Sequence, residues 1–512
     1  MTRADVDYSD VQGLVRFGYG KMTEAVYILV RVKNSAAARS WLRSAPITTA
    51  ATMAPPPSTA LQVAFTAAGL TALGVPASVL AGFSAEFLAG MTEENRSRRL
   101  GDVGSNAPSR WDWGQGSAVG GTTVPHLVVM FFAEPGGLAG VLQRSAGPTS
   151  AWNEAFDIVR HLGTSDLGGI EPFGFTDGIS QPELDWQQQR DPGRGQLDYS
   201  NVVALGEFLL GYRNEYEKYT DRPVLDADAA TAGLFPAEDA PQKQDLGRNG
   251  TYLVMRQLRQ DVRTFWRFID EQVGADVARA DELAAALVGR TRAGDPLVRL
   301  QDRAIPGVGS KPDAVRQNQF TFDDDPEGAG CPFGAHVRRA NPRNADLPGH
   351  PTGLARLIGM LGLRSRSFRD DLTSSVRFHR ILRRGREYGP GLAPADAIAP
   401  APPNDPERGL HFLCLNANIS RQFEFLQNAW IMNTAFDGLT GESDPLLGNR
   451  EPITGCPVTS DFSVQERGGV RRRVSGLPRF VTVRGGAYFF LPGLRALRFF
   501  VAAEEAQNFS EK

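Results

Sequence analysis

Hydrophobic positions along the chain follow two periods, one of a strand and one of a helix. Residues 25–32, Ala-Val-Tyr-Ile-Leu-Val-Arg-Val, are rich in β-branched and aromatic side chains and predict a buried strand. Residues 35–43 follow as a helix, with Ser35 placed to cap it. Residues 60–65 and 126–132 predict two more strands. Between them, residues 70–91 are rich in Ala and Leu with Gly and Pro punctuation, which predicts two short helices. Residues 150–162 read as a helix that ends at Gly163.

The second half repeats the order. Residues 250–258 read as a strand, and residues 261–272 as an amphipathic helix with Val262, Phe265, Trp266 and Ile269 on one face. A second helix is expected over residues 276–288. Residues 409–416 form a strong strand pattern, residues 419–430 a helix after it, and the apolar runs 487–491 and 499–501 close the chain. Each half reads β-α-β-β-α-β, the ferredoxin-like pattern. The fold class is α+β, with one such half over residues 1–220 and another over 250–512. Residues 221–249, rich in Asp, Ala and Pro, read as the linker. Residues 343–375 and the Pro-rich 385–408 read as surface excursions.

Composition narrows the function classes. A chain of 512 residues with 41% hydrophobic and 22% charged residues can bury a sizeable core. A net charge of −3 gives no general attraction to nucleic acid or to an anionic membrane. Arg471, Arg472 and Arg473 form a local basic run, expected in a solvated surface turn. The first residues, Met-Thr-Arg-Ala-Asp-Val-Asp-Tyr, are acidic and polar and carry neither an export signal nor a twin-arginine pair. No window approaches the roughly 18 apolar residues of a membrane span. A cytoplasmic location is the expectation. Cys331, Cys414 and Cys456 are too widely spaced for a disulfide framework and suit a reducing compartment.

Chemistry concentrates in three segments. The first is Gly330-Cys331-Pro332-Phe333-Gly334-Ala335-His336-Val337-Arg338-Arg339-Ala340-Asn341-Pro342-Arg343. His336 is one of only six histidines. An imidazole is a good iron ligand, and arginines nearby can neutralise porphyrin carboxylates. The alternative is a histidine satisfied in the core or at the surface. The second segment is Glu171-Pro172-Phe173-Gly174-Phe175-Thr176-Asp177-Gly178-Ile179-Ser180-Gln181-Pro182. Asp177 is a candidate acid–base group, and Gly174 and Gly178 allow close backbone approach to a flat ligand. The plain reading of Asp-Gly is a turn. The third is Arg380-Ile381-Leu382-Arg383-Arg384-Gly385-Arg386-Glu387-Tyr388-Gly389. Any of its four arginines could stabilise a developing oxyanion, and periodicity does not choose among them. Leu410 and Phe412 share one face of their strand and suit either an apolar roof over a ligand or core packing.

These segments, with Gly206-Glu207-Phe208-Leu209-Leu210-Gly211-Tyr212, resemble the dye-decolourising peroxidases, haem enzymes that use hydrogen peroxide. The resemblance runs from about Tyr8 to Phe500 and is to the long-form, bacterial branch. It implies a dimeric α+β barrel of two ferredoxin-like halves with non-covalent haem b in the C-terminal half. Carried over, His336 is the proximal iron ligand, Asp177 the distal acid–base group, Arg383 the distal cation and Arg343 a propionate partner. Gly178, Leu410 and Phe412 are placed beside the haem. The acceptor that orients His336 is expected late in the chain, at Asp437, Glu442 or Asp444. The substrates implied are hydrogen peroxide and bulky aromatic or dye-like reductants, oxidised at the surface through aromatic side chains. An aspartate base predicts turnover favoured at acidic pH. Two departures stand out. The interval from His336 to Arg383 is longer than in compact members. Gly385 also occupies the position, two after the distal arginine, where compact members carry asparagine. The rivals are a non-catalytic haem carrier or sensor, a related enzyme acting on chlorite or porphyrin, and a metal-free binding protein. Oligomeric state is left open.

Overall fold

A computed structural model describes residues 5–115, 123–147, 151–190, 200–298, 317–322, 325–343, 375–451, 460–465 and 469–510. The excursion expected over residues 343–375 lies almost wholly outside the described residues, as does Cys456. Cys331 and Cys414 are buried free thiols.

The strands that the periodicity predicts are present: β1 (Glu24–Val32), β2 (Thr59–Phe65), β3 (Leu127–Ala133), β5 (Thr251–Gln260), β8 (Gly409–Asn416) and β9 (Val481–Leu491). They join β4 (Phe156–Gly163), β6 (Leu382–Arg383) and β7 (Arg386–Tyr388) in one nine-stranded sheet. Its order is β6-β8-β5-β9-β2-β3-β1-β4, with β7 also paired to β8. The N-terminal four strands and the C-terminal set therefore repeat one order. The two sets meet where Phe490 of β9 pairs with Phe65 of β2. Inward side chains of both sets, such as Tyr27, Phe132, Met255, Leu413 and Phe489, share one core cluster. Tyr27 of β1 touches His411 of β8 edge-on at 5.8 Å. Helices cover the other face. In α1 (Ser35–Ser44) the cap is Asn34, whose side chain accepts the Ala37 N–H, and Ser35 is already helical. In α2 (Val262–Val273) Asp261 caps the first turn, and Val262, Phe265, Trp266 and Ile269 are all at most 2% exposed. Full burial of a Phe at such a site contributes about 2–3 kcal/mol. Asp276 caps α3 (Val277–Val288).

Several expectations need correction. Residues 151–163 are not a helix: a single turn, Trp152–Ala155, leads straight into β4, which pairs with the edge of β1. Strand β4 is an edge strand with Ile158 48% exposed. Its apolar residues therefore do not alternate cleanly, and they imitate a helical period. Residues 70–91 hold three short helices rather than two: Ala67–Ala72, Ala77–Leu80 and Ala85–Ala89. Residues 499–501 belong to a closing helix, α5 (Leu494–Ser510), with Phe500 fully buried. The 221–249 stretch folds as its own three-stranded antiparallel sheet. The run Arg471–Arg473 is exposed, but Arg472 and Arg473 lie on a short strand, not in a turn. The helix expected over 419–430 is π-helical over Ser420–Glu424 and Leu426–Ile431. There Glu424 N–H reaches Ile419 C=O, and Met432 N–H reaches Gln427 C=O. Among the described residues no helix is long and apolar enough to cross a membrane.

Candidate active site

Three adjacent strands make one wall of a cavity of ≈ 260 Å³. Their period of two turns Arg256, Leu258 and Gln260 of β5, Leu410 and Phe412 of β8, and Val481 and Val483 of β9 into it. Leu410 and Phe412 thus both face this space. The π-helical stretch contributes Phe423, Leu426 and Ile431, and the loop over residues 171–182 contributes Phe173, Phe175, Asp177 and Ile179. The walls are mostly apolar and the charged groups are few.

Glu171 folds that loop. Its carboxylate accepts from the N–H groups of Phe173 (3.1 Å) and Phe175 (3.0 Å) and from Gln260 Nε2 (2.7 Å). Trp266 of α2 donates to the Phe173 carbonyl at 3.1 Å. Gly178 follows Asp177 with φ +80°, a left-handed turn, and a Cβ there would project into open space. It is the backbone angle, not crowding, that asks for glycine. Gly178 does not itself line the cavity, whereas its neighbours Asp177 and Ile179 do.

Strand β6 resolves the run of arginines. Arg383 Nη1 donates to Asp177 Oδ1 at 2.8 Å. Arg384 turns the other way, to the carbonyls of Leu14 and Val15, and Arg386 donates to the Tyr19 carbonyl. Burial pushes the Asp177 carboxyl up. The Arg383 guanidinium, the Gly178 N–H and the more distant His336 outweigh it and hold the group below the ordinary carboxylate value. Glu171 lines the same cavity without a cation beside it, and burial pushes it up to about 7.

His336 opens a short helix, α4 (His336–Ala340), and also lines the cavity. Its Nδ1 lies 2.9 Å from Asp444 Oδ2. Asp444 is fully buried, and its Oδ1 accepts the N–H groups of Leu446 (2.9 Å) and Leu447 (2.8 Å). Of the three acceptors considered, Asp444 therefore faces His336. Glu442 is held by the N–H and hydroxyl of Ser463, and Asp437 sits in a left-handed turn within Phe436–Gly438. Nε2 of His336, on the far side of the ring, takes no partner among the described residues.

Arg343 is placed differently from the expectation. It is fully buried and does not line the cavity. Its guanidinium donates to the carbonyls of Asn318 (2.8 Å) and Phe320 (2.9 Å) and stacks over the Phe320 ring at 3.8 Å. Other cationic groups face the cavity instead. Arg290 donates to the Ser180 hydroxyl at 2.9 Å, and Arg380 lies nearby on the cavity wall. Arg256 is 4% exposed and pairs with Asp102 through Nη2, while its Nε and Nη1 have no hydrogen-bond partner among the described residues. Arg256 lay hidden in a predicted strand, where a charged residue in an apolar run was the one available signal.

No family model matches the chain. It is 28% identical to the dye-decolorizing peroxidase of Auricularia auricula-judae over 95% of this chain and 86% of that one. It is 30% identical to a multifunctional dye peroxidase of Amycolatopsis over 66% of this chain and 62% of that one. A crystal structure of the fungal Auricularia enzyme superposes with a TM-score of 0.71 at 25% identity, covering 98% of this chain and all of that one. The chain is similar to dye-decolourising peroxidases over nearly its whole length. Members of this family are haem enzymes, and the heme pocket of one solved relative has been engineered. The cavity fits such a group on three counts. An imidazole is anchored at Nδ1 with Nε2 free toward the cavity. Apolar walls suit a macrocycle, and two buried guanidinium nitrogens of Arg256 lack a partner. His336 would hold the iron, and Asp444 would fix its tautomer. Replacing Asp444→Asn is expected to weaken haem retention by about 10–100-fold. Titrating haem into the purified apoprotein by its Soret absorbance checks this.

Proposed function

We propose that the chain reduces hydrogen peroxide and oxidises bulky aromatic or dye-like donors one electron at a time. The observation that carries this is the Asp177–Arg383 pair, facing the same cavity as the Asp444-anchored His336. A carrier or sensor needs the histidine but has no use for a charged acid–base pair. Haem, here read as non-covalent haem b and held by His336, would supply the redox chemistry that peroxide reduction requires.

The chain's own residues supply the rest. The Asp177 carboxylate accepts a proton from one peroxide oxygen and returns it to the other as that oxygen departs as water. The Arg383 guanidinium donates to the oxygen on which charge builds, and it holds Asp177 in its basic form. Leu410, Phe412 and the π-helical residues exclude bulk water from the reaction. A cavity of this size, already destined for a macrocycle, leaves bulky donors to react from outside it.

We also read the two strand sets as ferredoxin-like halves that curl into a barrel. Their repeated strand order supports this, as do two contacts between opposite edges of the sheet. Ser165 N–H donates to the Glu387 carbonyl (2.8 Å), and His411 Nε2 lies 3.0 Å from the Gly163 carbonyl.

The test is steady-state oxidation of an aromatic dye by the haem-loaded chain. Turnover that requires both dye and peroxide is expected. A chain that shows a Soret band but leaves peroxide unconsumed would be a carrier. The acid side of the pH profile follows from Asp177. The active form is the carboxylate, which is lost as pH falls through the folded pKa. That pKa lies below the ordinary aspartate value of about 3.9. kcat/KM for peroxide is therefore expected to hold from neutrality down to that range before it declines. A profile that peaks above neutrality would remove Asp177 from this role.

A further inference from the structure

One side chain ties together the two elements that carry the distal pair. Gln181 lies in the loop that begins at Glu171 and carries Asp177. Its Oε1 accepts the backbone N–H of Arg383 at 3.0 Å, and its Nε2 donates to the backbone carbonyl of the same residue at 3.2 Å. An extended strand would satisfy Arg383 in the same way. Strand β6 is only two residues long and pairs on its other side with β8, Arg383 opposite Cys414. The Gln181 amide therefore completes the free edge of β6 and fixes the backbone from which the guanidinium departs. The loop is held in turn: Asn318 Nδ2 donates to the Gln181 carbonyl (3.1 Å), and Arg290 Nη2 to the Ser180 hydroxyl (2.9 Å).

We infer that Gln181 is a positioning residue that sets the separation of Asp177 and Arg383 through a two-point clamp on the Arg383 main chain. It touches no substrate and acts through Arg383. The inference rests on the function proposed above for the Asp177–Arg383 pair. Its geometric half can be tested without that function. A guanidinium moved by about 1 Å no longer meets the developing charge, a misplacement that costs on the order of 10²-fold. The pairing of β6 with β8 persists without the clamp, through the Arg384 N–H on the Leu413 carbonyl (2.8 Å), so the fold has a second support at this point.

The experiment compares wild type, Gln181→Met and Gln181→Glu. Methionine keeps the length and removes both hydrogen bonds. Glutamate keeps an acceptor for the Arg383 N–H and loses the donor to its carbonyl. The readout independent of turnover is hydrogen–deuterium exchange at the Arg383 amide in the haem-loaded protein. Exchange is expected to be at least tenfold faster in Gln181→Met and intermediate in Gln181→Glu. In kinetics, kcat/KM for peroxide is expected to fall by about 10- to 100-fold in Gln181→Met. That for the aromatic donor should change by less than about threefold, and Gln181→Glu should recover part of the loss. The acid limb for peroxide should also move to higher pH. The charged groups facing Asp177 are Arg383, His336, Glu171 and Glu387, and only Arg383 is released by the substitution. Unchanged exchange at Arg383 overturns the clamp. So does an equal loss against both substrates with a fixed acid limb, the mark of a general structural defect. If Gln181→Met does not fold, the same readouts on Gln181→Glu decide. Faster exchange in a chain whose wild type ignores peroxide would keep the clamp and sink the function.

Discussion

Replacing Asp177→Ala is expected to lower kcat/KM for peroxide by about 10²–10⁴-fold, the contribution of a positioned general acid–base group. The haem spectrum of the resting protein should stay intact. The carboxylate is the one group of the Asp177–Arg383 pair that can take and return a proton, because the guanidinium stays charged. Arg383→Leu should cost about 10²–10³-fold, in the range of a lost oxyanion donor. It should also move the acid limb. With the guanidinium gone, burial is left as the main influence on Asp177, and its pKa rises, the direction in which burial takes Glu171. The active carboxylate is then lost at higher pH than in the wild type. The double substitution should cost little more than Asp177→Ala alone, because the two act as one unit. Rapid mixing with peroxide, followed at the Soret band across a pH series, measures all three. A loss under threefold in Asp177→Ala would assign the proton transfer elsewhere.

The second large effect is on His336→Ala. The imidazole is held through Nδ1 by a buried carboxylate that already accepts two backbone N–H groups. Alanine at this position removes the proposed iron ligand and leaves Asp444 buried without the imidazole that it faces. Haem retention is expected to fall by more than the roughly 10–100-fold predicted for Asp444→Asn. The charge left uncompensated should lower thermal stability as well. Gel filtration of the reconstituted variant, read at the Soret and protein wavelengths, should show haem leaving the protein fraction. Retention equal to wild type would mean that another residue holds the iron.

The parts of the site that sequence disclosed were those carried by local strings. His336, Asp177 and Arg383 each sit in a run distinctive enough to resemble a family, and the structure gathers all three around one cavity. What sequence could not supply were pairings made across the fold. The Asp444 contact spans 108 positions, and nothing in the composition of its neighbourhood separates it from Glu442 or Asp437. Glu171 and Gln181 were inside a quoted motif, yet their roles as a loop brace and a strand-edge clamp depend on partners elsewhere in the chain. Arg343 was assigned to a haem propionate on the resemblance alone. Carbonyls of Asn318 and Phe320, distant in sequence, claim it instead. In the fold, strands buried on both faces were legible as continuous apolar runs. The half-exposed edge strand β4 was not, because burial rather than propensity decides such cases.

The apolar cavity beside His336 bears on stability as well as on chemistry. A ligand that binds only the folded chain, as haem would here, adds about 2.7 kcal/mol at a hundredfold excess over its Kd, against a total stability of only about 5–15 kcal/mol. The unfilled protein is thus the form that opens most readily to proteases and chaperones. Adding haem to the apoprotein is therefore expected to raise its melting temperature and to slow its cleavage by protease.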